Sequence, residues 1–340
     1  MNLIHRAKTT LRETLTARGL ILMYHRVAEP DLDPWGLSVS PAHFAEQLEV
    51  INKYFRPLSI QDLLKHLQRG KVPNRSVVVT FDDGYVDNLL NAKPLLAQYD
   101  VPATVFLVTE ALVEDRNFWW DDLEGALLQP GTLPGHLELK VNSSKYEWSL
   151  GDARGYSKED RQKDRQRRPW DAPTGTRLAF FYVIWQHLLK LSKPERIEAL
   201  DAICTWAGMS KDLDRASRAL NKHEVNVLRE GSLIEVGAHT VTHPSLTVLS
   251  KVQQLEEIAS SKTQLENIIG YPVTDFSYPH GDYSLESMEL VHKAGFQSAS
   301  TTNVKCVFRD ADPFQLPRFQ VDDWNGERFL RRIARWYVRP

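Results

Sequence analysis

The sequence predicts an α/β fold, because short apolar runs typical of buried strands alternate with segments that carry helix signals. The helices begin at capping residues such as Ser40, which precedes Pro41, and Ser250, which stands three residues before Gln253 as in a capping box. The predicted strands cover residues 20–25, 77–81, 103–108, 234–238 and 275–278, and the predicted helices cover residues 41–54, 59–68, 86–98, 250–269 and 284–294. This alternation is the one that a (β/α) barrel requires.

A long insertion is predicted between about residue 113 and residue 224, where the alternation of strands and helices fails. Apolar and polar residues alternate over 137–141 and again over 146–150, which indicates a β-hairpin. Residues 157–168 are rich in charge and indicate a solvated loop, the alternative being a basic lid over a phosphate-bearing substrate. Further helices are predicted at residues 177–191 and 193–206. We therefore expect one domain over all 340 residues, a barrel with a mixed insertion.

Two carboxylates stand at the end of a predicted strand in the segment TFDDGY, residues 80–85. The apolar run before them would deliver Asp82 and Asp83 to the carboxyl-terminal tip of the strand, and Gly84 lets the chain turn. The segment HTVTHP, residues 239–244, follows the predicted strand 234–238 in the same way and supplies two imidazoles. The two pairs of side chains are therefore expected to converge at strand ends.

Together these side chains have the composition of a metal site. Asp83, His239 and His243 supply three nitrogen and oxygen ligands, which leaves one coordination position open for water, as a hydrolytic metal requires. Asp82 then remains available to move protons. For either segment alone the alternative is structural, because adjacent aspartates commonly cap turns and an isolated histidine commonly packs in a core. Their combination at two strand ends favours a metal-dependent amide hydrolase.

These segments resemble the motifs of the polysaccharide deacetylases of carbohydrate esterase family 4, also called the NodB homology family. TFDDG matches the first motif, and residues 239–243 match the second, which reads H, S or T, two residues, H. The resemblance implies a distorted (β/α)7-type barrel. It also implies that Asp82 is the general base and that Asp83, His239 and His243 bind one divalent metal ion, Zn²⁺ or alternatively Ni²⁺, Co²⁺ or Fe²⁺.

The family's third motif, which reads R, any residue, P, Y, G, is similar to SYPHG at residues 277–281. Pro279 is kept, and His280 replaces the tyrosine. This change is tolerable because in the family the backbone N–H of that position stabilises the oxyanion, and any residue except proline supplies that donor. Tyr85 is the alternative donor.

Two motif positions of the family are changed in this chain. Ser277 stands where the family has an arginine that contacts the base, and Arg318 is the candidate substitute, the alternative being a surface arginine. The fourth motif, which reads D, two residues, D, W, keeps only Asp323 and Trp324, because Gln320 occupies the first aspartate position. These two residues are weaker candidates for the substrate site.

The general acid of the family is a histidine that ends a late apolar strand, and residues 318–340 contain no histidine. The apolar run LILMYH, residues 20–25, has that pattern at the other end of the chain. The sequence is similar in this respect to the circularly permuted deacetylases that process poly-N-acetylglucosamine, in which the last barrel strand comes first. Permutation costs little where chain ends lie close together. The resemblance implies that His25 protonates the leaving amine, the alternative being a buried histidine at a strand end.

The leading functional hypothesis is therefore the removal of an N-acyl group, most simply acetyl, from an amino sugar that is nucleotide-linked, lipid-linked or part of an oligomer. Removal of formyl from an amino sugar would use the same residues. The sequence is also compatible with an amidohydrolase of non-sugar amides and with an inactive carbohydrate-binding scaffold. Trp119 or Trp120 would line the substrate cleft, or else anchor the insertion to the barrel.

Composition indicates a globular enzyme, with 42% hydrophobic and 25% charged residues. The net charge of −2 gives no reason to expect a nucleic-acid partner. Two distant cysteines and the lack of a secretory signal predict a cytoplasmic protein, which favours a glycan precursor as substrate. Basic amphipathic segments at residues 3–15 and 329–337 leave peripheral contact with the inner membrane face as an alternative to packing on the barrel.

Overall fold

The computed structural model describes residues 17–114, 117–141, 144–209 and 217–338. The strands are β1 (Gly19–Tyr24), β2 (Arg26–Val27), β3 (Ser38–Val39), β4 (Arg56–Pro57), β5 (Ser76–Phe81), β6 (Ala103–Leu107), β7 (Gly131–Thr132), β8 (His136–Val141), β9 (Ser144–Ser149), β10 (Gly155–Tyr156), β11 (Ile234–Ala238), β12 (Asp275–Ser277), β13 (Ser298–Ser300) and β14 (Phe319–Gln320). The helices are α1 (Pro41–Tyr54), α2 (Ile60–Gln68), α3 (Lys93–Tyr99), α4 (Thr109–Glu114), α5 (Trp119–Leu127), α6 (Lys158–Asp164), α7 (Arg177–Leu188), α8 (Lys193–Ala207), α9 (Lys222–Arg229), α10 (Lys251–Ile269), α11 (Leu285–Lys293) and α12 (Gly326–Val338). A π-helical turn (Asn88–Ala92) precedes α3, and 3₁₀ turns cover Gly151–Arg154, Pro169–Asp171, Leu246–Val248, Pro279–Gly281 and Pro313–Gln315.

The main sheet is parallel, with the strand order β13-β12-β11-β6-β5-β1-β14, and β4 adds to β5. Its two ends come together through the segment before β14. The Thr301 N–H donates to the Leu316 carbonyl at 2.8 Å, whereas Phe319 pairs with β1. The sheet is thus curled into a distorted barrel with helices around it, and the predicted (β/α)7-type fold is confirmed.

The strands β1, β5 and β6 of the barrel are buried over their whole length, which explains their largely apolar sequences. All six residues of β1 and all six of β5 are buried. Parallel strands that are covered on both faces read as continuous apolar runs rather than as alternating ones. The predicted caps are also present, because the Ser40 side chain accepts from the His43 N–H and Ser250 forms its capping box with Gln253.

A second compact unit comprises residues 30–37 and the described part of 117–219. The predicted hairpin is present there as the antiparallel pair β8–β9, and its apolar residues on β8 are buried. Residues 30–37 were not expected in this unit, because the predicted insertion began only at about residue 113. The unit has its own apolar core, to which α5, α7 and α8 contribute.

The prediction of a solvated loop at residues 157–168 is wrong for its first half. Residues 158–164 form α6, which begins with a capping box between Ser157 and Asp160. Asp164 is 3% exposed and accepts a hydrogen bond from the Tyr156 hydroxyl at 3.1 Å. The charged sequence was interpreted as a loop, because the same Ser and Asp that suggest a polar loop also satisfy the first N–H groups of a helix.

The two tryptophans that were candidates for the substrate cleft, Trp119 and Trp120, begin α5. Trp120 is 6% exposed and stacks on Phe118, while Trp119 stacks on Trp185, so both tryptophans pack within the second unit.

The apolar residues of α12, among them Phe329 and Ile333, are buried in the core of the barrel unit, as in the packing alternative. The amphipathic segment at residues 3–15 lies outside the described residues. Among the described helices, none is both long and apolar enough to cross a bilayer.

Candidate metal centre and active site

The carboxyl-terminal ends of neighbouring barrel strands carry the predicted site residues. Tyr24 of β1 and Phe81 of β5 are register partners, so His25 and Asp82 follow side by side, and the Asp82 N–H donates to the Tyr24 carbonyl at 3.0 Å. On the other side of β6, the His239 N–H donates to the Leu107 carbonyl at 3.0 Å. Parallel strands present their carboxyl ends at one edge, and ligands bind there.

Asp83, His239 and His243 form the only buried group of potential metal ligands among the residues that the structure describes. The Asp83 Oδ1 atom lies 3.6 Å from His239 Nε2 and 3.5 Å from His243 Nε2. The three ligand atoms lie within 4.8 Å of one another. One carboxylate and two imidazoles at this separation suit Zn²⁺ or a similar divalent ion and leave room for a further ligand.

The orientation of the His239 ring supports the fit to a metal ion. Its Nδ1 atom lies 2.8 Å from the Ser277 carbonyl oxygen. A carbonyl can only accept, so Nδ1 carries the proton and Nε2 presents its lone pair towards Asp83. Burial lowers the pKa of His239, partly opposed by the charge of Asp82, and so favours the neutral ring that binds metals.

Unusual backbone conformations concentrate at this site. Asp83, Thr240, His243 and His280 have φ values of 73°, 65°, 56° and 58°. Such conformations cost on the order of 1–3 kcal/mol each and persist where the surrounding structure enforces them. Gly84 has φ 89°, and a Cβ there would lie 2.4 Å from the Leu107 side chain, so the first motif requires glycine.

The loop between the two histidines is held by Glu257 of α10. Its carboxylate accepts from the N–H groups of Val241 and Thr242 at 2.8 and 2.9 Å, and from the Thr242 hydroxyl at 2.7 Å. The Thr240 hydroxyl accepts from the His243 N–H at 3.0 Å. Sequence analysis missed Glu257, because nothing local to it connects α10 with the second motif.

Arg318 lies against Asp82, the predicted base. Its two terminal nitrogens each lie 2.7 Å from one carboxylate oxygen, and one of them donates to the Ser277 hydroxyl at 2.9 Å. Arg318 is fully buried, so the alternative of a surface arginine is wrong. Burial opposes the ionisation of Asp82, but the charge and the hydrogen bonds of Arg318 outweigh it and hold the pKa of this carboxyl well below its usual range.

His25 completes the group of ionisable side chains at the strand ends. Desolvation of its imidazolium lowers the pKa of His25 to about 4; Asp82 opposes this shift, whereas Arg318 and His239 add to it. His25 is therefore neutral at pH 7 in this arrangement. His25 directly follows Tyr24, whose carbonyl accepts from the Asp82 N–H, so His25 and Asp82 lie at the ends of neighbouring strands, and the role of His25 as general acid stays a prediction.

The third-motif residues also reach the centre. Pro279 and His280 lie in the 3₁₀ turn after β12, and the His280 ring packs edge-on against the His243 ring, with centroids 4.5 Å apart. Ser277 replaces the family's arginine and accepts two hydrogen bonds. Its hydroxyl accepts from Arg318, and its carbonyl accepts from His239. The residue change thus retains contacts with both the base and a metal ligand.

Three other candidates for the substrate site make contacts within the barrel unit. Tyr85 is 1% exposed, and the Arg26 guanidinium carbon lies 4.5 Å from its ring centroid. Asp323 accepts from the N–H of Ser40 at 2.9 Å and so helps to begin α1. Trp324 is 5% exposed. Asp323 therefore contacts the start of α1 and Trp324 contacts Arg332 of α12, and their assignment to the substrate site stays a prediction.

A barrel whose strand ends gather two carboxylates and three imidazoles has the site of a hydrolase. The sequence profile described as polysaccharide deacetylase matches residues 69–134 and 185–299. The chain is also 33% identical over 333 residues to the poly-beta-1,6-N-acetyl-D-glucosamine N-deacetylase of Staphylococcus epidermidis, a match that covers 94% of this chain and 83% of that protein. The chain belongs to the polysaccharide deacetylase family.

Other relatives match in part. The Bacillus subtilis protein YxkH is 34% identical over 88 residues, which is 26% of this chain and 32% of that protein. Two solved structures share the fold at 17% identity and a TM-score of 0.57. They are the Streptococcus pyogenes deacetylase PplD, which covers 93% of this chain and 97% of its own, and IcaB from Ammonifex degensii, which covers 94% and 97%.

Proposed function

We propose that this protein removes acetyl groups from N-acetylglucosamine units of a polysaccharide, with one divalent metal ion held by Asp83, His239 and His243. The observation that carries the proposal is the ligand cluster beside Asp82, an ionised carboxylate fixed by Arg318. The name of the Staphylococcus epidermidis relative supports an N-acetylglucosamine polymer as the substrate class.

The bound ion would polarise the acyl oxygen and increase the acidity of a water molecule. Asp82 is ionised at neutral pH and accepts the proton of the water that attacks the amide carbon. Arg318 keeps this carboxylate both charged and oriented, because it occupies the two oxygens from one side. The backbone N–H of His280, in the third-motif turn, would stabilise the developing oxyanion.

His25 would protonate the departing amine. An amide nitrogen is a poor leaving group unless it gains a proton, so this step needs an acid at the opposite side from the attacking water. The low pKa of His25 leaves its ring neutral before substrate binds. Negative charge that develops on the acyl oxygen raises the affinity of a nearby imidazole for a proton, which allows His25 to receive the proton that Asp82 took from the water and to pass it to the leaving nitrogen as the C–N bond breaks.

The substrate class is tested with metal-loaded protein and a panel of sugars. Acyl loss is measured by mass spectrometry on β-1,6-linked N-acetylglucosamine oligomers, free and nucleotide-linked N-acetylglucosamine, lipid-linked precursors and N-formyl sugars. We expect acetate release from the oligomers. If only the precursors lose their acyl group, the substrate is a precursor and not the polymer. If no sugar loses its acyl group, the proposal of a sugar deacetylase is refuted.

Two variants test the division of roles at the metal centre. Asp82→Asn should retain the metal while activity falls about 10²–10⁴-fold, the usual contribution of a general base. His239→Ala should empty the site, as measured by elemental analysis after gel filtration. Equal metal loss in both variants would contradict the assignment of Asp82 as a base outside the ligand set.

A further inference from the structure

We propose that Asp87, Asn88 and Asn91, which we call the 87–91 strap, are positioning residues that aim His25 into the active site. The inference rests on the proposed function, because it assumes that His25 acts as the acid on an amide. It concerns side chains that lie after the first motif and outside the ligand cluster. They act on the reaction through their bonds to residues 25–27.

The strap bonds to every residue of the segment 25–27. The Asn88 amide donates to the His25 carbonyl at 2.8 Å, and the Asn91 amide donates to the Val27 carbonyl at 2.7 Å. The Asp87 carboxylate accepts from the Val27 N–H at 3.0 Å and from the Arg26 Nε at 2.9 Å. The three side chains thus fix the backbone directly after β1.

This segment needs such support because it leaves the barrel sheet. The pairing between β1 and β5 ends at Tyr24, and the next strand, β2, pairs with the short strand β3 instead. Among the residues that the structure describes, no side chain makes a hydrogen bond to the His25 imidazole. The direction of the ring therefore depends on the backbone that carries it.

Burial makes the strap rigid. Asp87 and Asn88 are 3% and 1% exposed, and Arg26 is 8% exposed. Hydrogen bonds in such surroundings are stronger than in water, and a buried ion pair is better explained by the geometry it imposes than by net stability. The strap begins a π-helical turn, Asn88–Ala92, and π turns inside helices are frequent at functional sites.

The same strap couples His25 to the base. Asp87 follows Asp82 by only five residues, so the side chains that hold the acid belong to the segment that carries the base and a metal ligand. Any shift of the first motif is thereby transmitted to His25. The acid and the base stand at the ends of the neighbouring strands β1 and β5, and one short stretch of chain contacts both segments.

The test compares an amide with an activated ester. Asn88→Ala and, separately, Asn91→Ala are assayed on an N-acetylglucosamine oligomer and on 4-nitrophenyl acetate, whose phenolate leaves without an acid. We expect kcat on the amide to fall about 10–100-fold in either variant, as a misplacement of about 1 Å does, with KM and metal content unchanged. The rate on the ester should change less than about threefold.

Three controls separate this role from a structural one. Asn52→Ala removes a similar amide donor, which bonds the Tyr99 carbonyl, and should leave both rates at the wild-type level. His25→Ala should show the same preference for the ester, with a larger loss on the amide. Because Asn91 is only half-buried, its variant provides the test should Asn88→Ala not fold.

The inference is overturned if amide and ester rates fall together, if only KM rises, or if the strap variants match Asn52→Ala. Failure of the proposed function looks different, because the wild-type protein would then release no acetate from any sugar. A wild-type deacetylase whose strap variants retain full kcat on the amide would keep the proposed function and refute the positioning role.

Discussion

Arg318→Met is expected to destabilise the protein in a way that depends on pH. The substitution retains much of the side-chain length but removes both 2.7 Å bonds to Asp82. The side chains of Arg318 and Asp82 are 0% and 4% exposed, so the remaining carboxylate is buried without its partner. Breaking a buried pair in this way costs about 3–5 kcal/mol.

The sign of the pH dependence follows from the two pKa shifts. In the wild type the pKa of Asp82 is held below its usual range, so its ionised form stabilises the fold above the unfolded-state pKa. Without Arg318, burial dominates and raises the pKa of Asp82. The native variant then binds a proton more tightly than the unfolded chain, and its loss of stability grows as pH rises from about 4 towards the raised pKa.

Urea denaturation at pH 4.5 and pH 7.5 measures this effect. We expect the full loss of about 3–5 kcal/mol at pH 7.5 and a clearly smaller one at pH 4.5, where Asp82 is protonated. Arg177→Met is the matched control. Arg177 is also buried, but it donates to the carbonyls of Ala153 and Leu127, which do not titrate, so the loss of stability in this variant should vary little with pH.

The result that would refute this reasoning is a loss for Arg318→Met that is equal at both pH values. A double-mutant cycle with Asp82→Asn gives an independent check. The double variant should be more stable than Arg318→Met at pH 7.5, because it removes the unpaired charge. In activity assays, the acidic limb of the pH–rate profile should move to higher pH, since Asp82 must be ionised to act as a base.

Two further predictions concern the carboxylates of Glu235 on β11 and Glu257 on α10. Burial, with the charge of Asp275, raises the pKa of Glu235 to about 7. The native protein therefore favours the protonated carboxyl, and the free energy of unfolding falls as this proton is lost between about pH 4.5 and 7. Glu235→Gln should therefore raise the free energy of unfolding by about 1–2 kcal/mol at pH 8 and by less at pH 5; equal changes at both would contradict this. Glu257→Ala should loosen the loop between His239 and His243 and weaken metal binding about 10-fold, as measured by competition with a chelator. The metal affinity of Glu257→Gln should lie between those of the wild type and Glu257→Ala. Unchanged metal affinity in both variants would exclude this role of Glu257.

The sequence alone predicted the barrel and the strand ends at which the chemistry lies. The apolar runs at β1, β5 and β6 reflect strands that are buried on both faces, and each of the caps at Ser40 and Ser250 is encoded within four residues. These signals are local, since periodicity and capping depend on near neighbours. The placement of Asp83 and the two histidines at strand ends followed from them.

The tertiary structure decided which distant residues serve those ends. Arg318 contacts Asp82 across 236 positions of sequence, and Asp323 caps α1 across 283, so neither partner leaves a local pattern. The membership of residues 30–37 in the second unit was likewise set by packing. A sequence encodes local conformation through adjacent residues, whereas the choice among many possible partners for a buried charge is made only when the whole chain is packed.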